Sequence, residues 1–318
     1  MMKQNVLVTG TPRSGTTFLG KILSFPLTVN YIWEPFNKNY RLGIPDYYPY
    51  LSDNSSQDKF KVYDKIINDT INLKNLTPVV IINKGDGIIK RKVKKIGINK
   101  TTYLWYKKPI IKKYLLNPKT TVYKDPIGIY LSQYLIEKYD FKIIGVIRHP
   151  AAVISSRENL KWRFNFNWWK QQKELYDDLY SKFDKQRDNY PNCFVSEAAF
   201  HWLTCYSYLH NIYTRYPNNC IIVRHEDICE NPVLETGKMY KWLNIKISKR
   251  CISKIRKITS GRNIERTSEN LAKLENRNAK ELVYKWKSRI NEDQLNLIMK
   301  ITNKISNIYY KEPSLWSL

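Results

Sequence analysis

The sequence predicts an α/β fold with a doubly wound, mainly parallel sheet and helical insertions. Short apolar runs rich in β-branched or aromatic residues predict buried strands, at Val6–Val8, Val29–Trp33, Thr121–Tyr123, Lys142–Ile147 and Cys220–Val223. Helical periodicity lies between most of these runs, at Thr16–Ser24, Gly128–Tyr139, Ala151–Ser156, Glu197–Tyr216 and Pro232–Leu243. Strands that alternate with helices in this way are typical of a parallel sheet that helices cover on both faces.

The turn after the first predicted strand carries the most informative motif of the chain. Residues 10–17 read Gly-Thr-Pro-Arg-Ser-Gly-Thr-Thr and lead into an apolar helix. In such a turn, loop amides and the positive end of the helix converge on one anion. The glycine spacing is that of a P-loop, but Thr16 stands where the usual lysine is expected, and Arg13 is the available cation. The octet therefore predicts a P-loop-like phosphate site, but not one for the terminal phosphates of ATP.

Polar groups follow four of the predicted strands, at the point where each strand ends. These groups are Glu34-Pro35, Lys124-Asp125-Pro126, Arg148-His149-Pro150 and Arg224-His225-Glu226-Asp227. Because ligands of open α/β sheets bind outside the carboxyl ends of the strands, the pattern predicts one site at that edge. Charged residues also occupy strand ends simply because solvent is near, which explains one or two groups more easily than four.

Composition favours a single domain over residues 1–318 that binds an anion. Hydrophobic residues make up 42% of the chain, which is enough for a large core. Lys and Arg total 54 against 28 Asp and Glu, a net charge of +26 that attracts nucleotides, acidic glycans, nucleic acid or anionic membranes. Five cysteines without CxxC spacing indicate neither a disulfide framework nor a zinc site. No leader or membrane span is apparent, so a cytoplasmic location is expected.

The octet resembles the 5′-phosphosulfate loop of sulfotransferases that use 3′-phosphoadenosine 5′-phosphosulfate (PAPS). Arg148 and Ser156 are eight residues apart, as in the 3′-phosphate motif of that family, and Ser155 is an adjacent alternative. The resemblance implies PAPS as cofactor, 3′,5′-bisphosphoadenosine as product, and no metal. It implies a cofactor site formed by Pro12, Arg13, Ser14, Gly15, Thr16, Thr17, Arg148 and Ser156.

The strand-end groups resemble the enzymes of this family that use a glutamate base. Glu34-Pro35 is similar to the Glu-Pro of carbohydrate sulfotransferases, and Lys124-Asp125-Pro126 looks like the Lys-Asp-Pro of tyrosylprotein sulfotransferases. The resemblance implies that Glu34 is the general base and that Lys124 and Arg13 neutralise charge on the reacting group. A segment at about 260–290 resembles the cofactor-closing segment of tyrosylprotein enzymes and adds Thr267, Ser268 and Lys285 to the cofactor site.

Two insertions, at about 37–119 and 157–200, interrupt the nucleotide-binding pattern and are predicted to shape the acceptor site. The first is rich in tyrosine near its start and carries a basic tract over residues 84–119. The second has aromatic residues at alternate positions, a period that fits a strand or an extended lid, at Trp162, Phe164, Phe166 and Trp168. Flat aromatic faces suit sugar rings, although aromatic residues that only cover the core give the same pattern.

Together these features predict a sulfotransferase that moves a sulfuryl group from PAPS to a hydroxyl of a saccharide or lipid-linked glycan. The basic tract is either a solvated face or a peripheral contact with an anionic membrane surface, and no specific nucleic acid is expected as partner. Two other classes stay open. A nucleotide or small-molecule kinase with a variant phosphate loop would need magnesium and ATP, and a non-catalytic nucleic-acid-binding module would show steeply salt-dependent binding.

Overall fold

A five-stranded sheet forms the centre of the computed structural model, which describes residues 3–77, 107–164, 166–261 and 278–318. The strands lie in the order β2-β3-β1-β4-β5 and every pairing among them is parallel. They are β1 (Gln4–Thr9), β2 (Val29–Trp33), β3 (Thr120–Lys124), β4 (Lys142–Ile147) and β5 (Cys220–Arg224). Each predicted strand is confirmed within two residues at either end.

Apolar side chains cover both faces of this sheet, as the doubly wound prediction requires. In β1, Val6 and Val8 pack into one hydrophobic cluster while Leu7 packs into the other. The alternation follows from the strand geometry, because successive side chains point to opposite faces. Strands buried on both faces read as continuous apolar runs, which is why the sequence located them.

The helices are numbered in chain order over the described residues. Those that surround the sheet and its insertions are α1 (Thr16–Leu23), α2 (Gln57–Asn72), α3 (Lys108–Leu116), α4 (Ser132–Tyr139), α5 (Pro150–Asn159), α6 (Asn167–Lys170), α7 (Lys173–Leu175), α8 (Ser181–Arg187), α9 (Phe194–Arg215), α10 (His225–Glu230), α11 (Pro232–Trp242), α12 (Lys249–Thr259), α13 (Ala279–Val283) and α14 (Glu292–Tyr309). The predicted helix at Gly128–Tyr139 begins as a 3₁₀ turn, Ile127–Leu131, before α4.

The prediction of a strand across the alternating aromatic residues is wrong, and a role of this segment as a lid stays a prediction. Around residue 165, which lies outside the described residues, the backbone forms turns and irregular structure and does not pair with a described strand before α6 begins. Phe164 and Trp169 are buried, with ring centroids 4.4 Å apart, whereas Trp162 is 37% exposed. The ring of Phe164 packs on the rings of Phe166 and Trp168 and on His201 of α9. The alternation of these three residues therefore reflects a side-chain cluster and not a pleated backbone, and Trp162 instead contacts Arg13.

The first insertion contains more helix than its sequence indicated. Helix α2 packs into the larger cluster through Tyr63, Ile66 and Ile67, and α3 covers the end of the basic tract. Residues 84–106 of that tract lie outside the described residues.

His149, just after β4, joins the sheet to the C-terminal part of the chain. Its ring stacks on Trp286 at 4.7 Å and lies 4.4 Å from the ring of Trp316. Its backbone amide donates to Glu226 Oε1 at 3.0 Å, and Tyr310 donates to the other oxygen of the same carboxyl group at 2.9 Å. Burial, assisted by nearby arginines, lowers the pKa of His149 to about 3. The imidazole is therefore neutral in the folded protein at neutral pH.

We expect the buried His149 to make the fold sensitive to acid. In the unfolded chain a histidine takes up its proton near pH 6.5, whereas folded His149 does so only near pH 3, so stability falls as the pH drops through that interval. His149→Phe keeps the ring stacking and removes the titration. It should reduce the slope of unfolding free energy against pH by up to about 1.4 kcal/mol per pH unit.

Urea unfolding at a series of pH values between 7 and 4 measures that slope. His210→Phe, which changes a half-buried histidine on the surface of α9, is the control and should alter the slope less. Equal slopes for the wild type and His149→Phe would contradict the lowered pKa of the buried His149 imidazole.

Candidate functional site at the carboxyl edge of the sheet

The sheet register places the predicted polar groups along one edge. Lys124, the last residue of β3, pairs with Val8 of β1 on one side and with Trp33 of β2 on the other. Glu34 directly follows Trp33, and the phosphate loop directly follows β1. On the far side, Ile147 of β4 pairs with Arg224 of β5. The loop, Lys124, Glu34, Arg148 after β4 and Arg224 at the end of β5 therefore lie at the same end of the sheet.

The phosphate loop is held tightly against its neighbours. A Cβ atom on Gly10, which has φ of 151°, would lie 2.4 Å from the carbonyl oxygen of Val146. A Cβ atom on Gly15, with φ of 97°, would lie 2.3 Å from Nδ1 of His225. Both glycines therefore combine a backbone conformation that disfavours side chains with a close approach that excludes them. Gly15 is the N-cap of α1 and has no side chain to occupy the amides of the first turn.

Arg13, Arg148 and Ser156 meet beside the loop. The Arg13 side chain donates from Nε to Ser156 Oγ at 3.0 Å, and Arg148 donates to the Arg13 carbonyl oxygen at 3.1 Å. Ser156 is therefore the serine that contacts the loop, while Ser155 is buried with 3% of its surface exposed. Trp162 of the second insertion lies under the Arg13 guanidinium at 5.7 Å.

Helix α9 supports this cluster through two aromatic residues one helical turn apart. Tyr206 donates to the Val146 carbonyl at 2.8 Å and accepts from the backbone amide of Thr11 at 3.3 Å. Trp202 donates from its indole nitrogen to the Arg148 carbonyl at 2.9 Å. One helix thus fixes both the loop and the backbone at Arg148. Sequence reasoning missed both residues, and their i,i+4 spacing on the buried face of α9 was the available signal.

The electrostatics of the cluster suit an anion. Burial, with the charges of Arg148 and Arg13, holds the pKa of His225 well below its usual value. The Nε atom of Arg148 is buried and has no hydrogen-bond partner among the described residues. A buried donor on a guanidinium, next to a loop that presents backbone amides, fits the bidentate binding of a phosphate group.

Glu34 and Lys124 form a buried ion pair at the other half of the edge. Only 7% of Glu34 and 1% of Lys124 is exposed, and Lys124 Nζ donates to Glu34 Oε1. Asn37 donates to Glu34 Oε2 at 2.7 Å, and the Trp33 ring lies 4.7 Å from Lys124 Nζ. The backbone amide of Glu34, at a positive φ of 46°, donates to the Lys124 carbonyl at 2.7 Å. Backbone and side chain of the glutamate are therefore both tied to the lysine.

Asp125 holds the chain segments around that ion pair. Its carboxyl group accepts from the backbone amides of Phe36 at 2.7 Å, Ile127 at 3.0 Å and Gly128 at 3.3 Å. Burial, together with the charge of Glu34, raises the pKa of Asp125 above its usual value. Asp125 thus joins the segment after β2 to the segment after β3, which is a positioning role next to the buried pair.

The predicted C-terminal contribution is described only in part. Lys285 is an exposed residue of a 3₁₀ turn, and the adjacent Trp286 is buried against His149, the residue after Arg148. Thr267 and Ser268 lie outside the described residues.

The two insertions pack against each other. Tyr47 from the first and Trp168 from the second stack with centroids 4.6 Å apart and planes 12° apart, and Lys38 lies 4.9 Å from the Tyr47 ring. Gln172 exchanges two hydrogen bonds with the backbone of Tyr48, at 3.0 and 2.6 Å. Lys38, which contacts the Tyr47 ring, directly follows Asn37, and the Asn37 side chain donates to Glu34. Two consecutive residues of the first insertion thus link the ion pair to the aromatic pair.

Within the described parts of the chain, no group of three or more His, Cys, Asp or Glu residues is placed to hold a metal ion. No helix among the same residues has the length and apolar character needed to cross a membrane.

A family model described as a sulfotransferase domain matches residues 3–308. The chain belongs to the sulfotransferase family. Among curated protein sequences none matches this sulfotransferase. Its fold resembles that of the sulfotransferase domain from the curacin biosynthetic pathway (13% identity, 96% of this chain and 98% of that chain, TM-score 0.49). The fold also resembles that of a sulfotransferase from Alicyclobacillus acidocaldarius, at 12% identity over 99% of each chain and with a TM-score of 0.44. A third similar structure is mouse sulfotransferase SULT7A1 complexed with PAP, at 10% identity over 98% of this chain and 87% of that chain, with a TM-score of 0.42.

Proposed function

We propose that this sulfotransferase uses PAPS as donor and transfers the sulfuryl group to a hydroxyl of a saccharide or lipid-linked glycan, with Glu34 as general base. The observation that carries the proposal is the buried Glu34–Lys124 ion pair at the same sheet edge as the phosphate loop. The edge offers an acid–base group, a fixed cation and an anion site, which are the parts that this transfer needs.

The loop cluster is suited to the phosphate groups of the donor. The amides of the loop and of α1 would hold the 5′-phosphate, together with Thr16 and Thr17. Arg148, whose Nε is buried without a described partner, and Ser156 would hold the 3′-phosphate. When bound, PAPS supplies an activated sulfuryl group on a phosphate leaving group.

The buried pair is suited to the acid–base chemistry. Each carboxylate oxygen of Glu34 accepts one hydrogen bond, from Lys124 or from Asn37, and keeps a second lone pair that can accept a proton. Glu34 would take the proton from the attacking hydroxyl. Lys124 and Arg13 would neutralise the negative charge that develops where the phosphate leaves, since fixed cations act strongly in a site that excludes water.

The stacked pair of Tyr47 and Trp168 supports a sugar as acceptor. The stacked faces of the two rings cover each other, so the outer face of Trp168 would bind the C–H face of a sugar ring. The Lys38 ammonium next to Tyr47 would favour an acidic substituent. A cytoplasmic location stays a prediction, and the five cysteines, all free thiols in the structure, are compatible with it.

Donor binding tests the proposed cofactor without knowledge of the acceptor. We expect 3′,5′-bisphosphoadenosine to bind more tightly than ATP in calorimetry, both without added magnesium. Ser156→Ala should weaken that binding by about tenfold, since it removes a hydrogen bond to a charged group, whereas Ser155→Ala is the matched control and should leave it unchanged. Tighter binding of ATP would overturn the assignment of PAPS as donor. Equal losses of bisphosphoadenosine affinity in the two serine variants would show that Ser156 is not a specific ligand of the donor.

Glu34→Gln tests the base. The amide keeps an oxygen that can accept from Asn37 but cannot take a proton, so we expect kcat to fall by about 10²–10⁴-fold. The assay is labelled transfer from PAPS to a panel of saccharides and glycolipids, with the exposed Glu312→Gln as control. Undiminished bisphosphoadenosine affinity would show that the variant is folded. Full turnover by Glu34→Gln would rule out the base role, and transfer only to non-sugar hydroxyls would rule out the acceptor class.

A further inference from the structure

Helix α3 exposes a cluster of large apolar side chains that the proposed reaction does not use. Tyr114 is 81% exposed, Leu115 76% and Ile111 43%. These three residues lie at i, i+3 and i+4 and so share one helical face. Leu116, at the end of the helix, is 50% exposed. We call this surface, together with Leu27, the α3 patch.

The opposite face of α3 is anchored to the sheet. Asn30 donates to the Pro109 carbonyl at 3.0 Å, and Lys112 donates to the carbonyls of Val29 at 2.5 Å and Pro26 at 3.5 Å. The contact with Pro26 brings α3 next to Leu27, which is 71% exposed. The patch is therefore a fixed surface with its apolar side chains directed outward.

Lysines from several segments surround α3. Lys112 has a pKa lowered by burial and by the charges of Lys108 and Lys254. Lys113 donates to the Asn72 carbonyl at 2.8 Å, and burial with the charges of Lys3 and Lys74 lowers its pKa. None of the ion pairs between described residues involves these six lysines. Lys112 and Lys113 hold α3 in place through backbone carbonyls, and their charges with those of nearby lysines make the surroundings of the patch positive.

We propose that the α3 patch docks the protein to the surface of an anionic lipid bilayer. Lysines attract anionic head groups while leucine and tyrosine side chains enter the boundary between head groups and acyl chains, the combination that holds amphipathic helices at membranes. A second copy of the chain is disfavoured, because two such patches would bring like charges together. A nucleic acid would neutralise the lysine charges but would not bury the exposed leucine side chains, so it is a poorer match for the patch.

Docking through this patch would not cover the candidate site with the bilayer. Lys112 contacts Val29 at the start of β2. Glu34 follows the end of β2 and Lys124 is the last residue of β3, so both lie at the opposite end of the strands. The inference does not depend on sulfuryl transfer, so it can fail while the proposed function holds.

Vesicle co-sedimentation of the full chain tests the docking. The wild type should bind vesicles that contain phosphatidylglycerol at least about tenfold more tightly than pure phosphatidylcholine vesicles, and added salt should weaken the binding. The double variant Tyr114→Ser/Leu115→Ser, which keeps every lysine, should bind the anionic vesicles at least about tenfold more weakly.

Leu234→Ser is the control, because Leu234 is 60% exposed on α11, and it should bind vesicles like the wild type. Equal affinity of the wild type for both vesicle types would overturn the proposal. Binding of the double variant to anionic vesicles as tight as that of the wild type would also overturn the proposal, because the lysines alone would then explain the attraction. Unchanged bisphosphoadenosine affinity in the double variant would show that it is folded.

Discussion

The buried ion pair between Glu34 and Lys124 is the constraint on which the rest of the site depends. Two charges removed from water are stable together only when their geometry is good and further hydrogen bonds satisfy them. Here Asn37 donates a second hydrogen bond to the Glu34 carboxylate, and the Trp33 ring covers the Lys124 ammonium group. Asp125 accepts hydrogen bonds from the backbone after β2 and from the backbone after β3 and so holds the two segments together. Because these partners come from adjacent parallel strands, the pair also fixes where the first insertion leaves the sheet.

The loop half of the site is fixed by a different device. Neutral aromatic hydrogen bonds from α9 support Thr11 and Arg148 from beneath, and two glycines let the loop approach β4 and His225. The two halves meet through β1 and β3, which are neighbours in the sheet. The proposed anion site and the proposed acid–base group are thus held by separate supports at one edge of the sheet, which is the preorganisation that charge-stabilised transfer requires.

The strands and the strand-end groups were predictable from the sequence, because the strands of a parallel sheet buried on both faces are continuous apolar runs. Polar residues that follow such runs lie at the carboxyl ends of the strands, where open α/β sheets bind their ligands. It could not separate Ser155 from Ser156, since the direction of each depends on the tertiary path of α5. It misjudged the aromatic residues near Trp162, because period-two spacing arises from a ring cluster as well as from a strand. It also missed Tyr206 and the contact of His225 with Gly15, which link segments far apart in the chain.

A double-mutant cycle on the buried pair tests the central claim most directly. Urea unfolding would give the stabilities of the wild type, Glu34→Gln, Lys124→Met and the double variant. We predict that each single change costs about 3–5 kcal/mol, because it leaves one charge buried without its partner, and that the double change costs clearly less than the sum. Additive losses, or single losses below about 1 kcal/mol as for an exposed pair, would contradict the account.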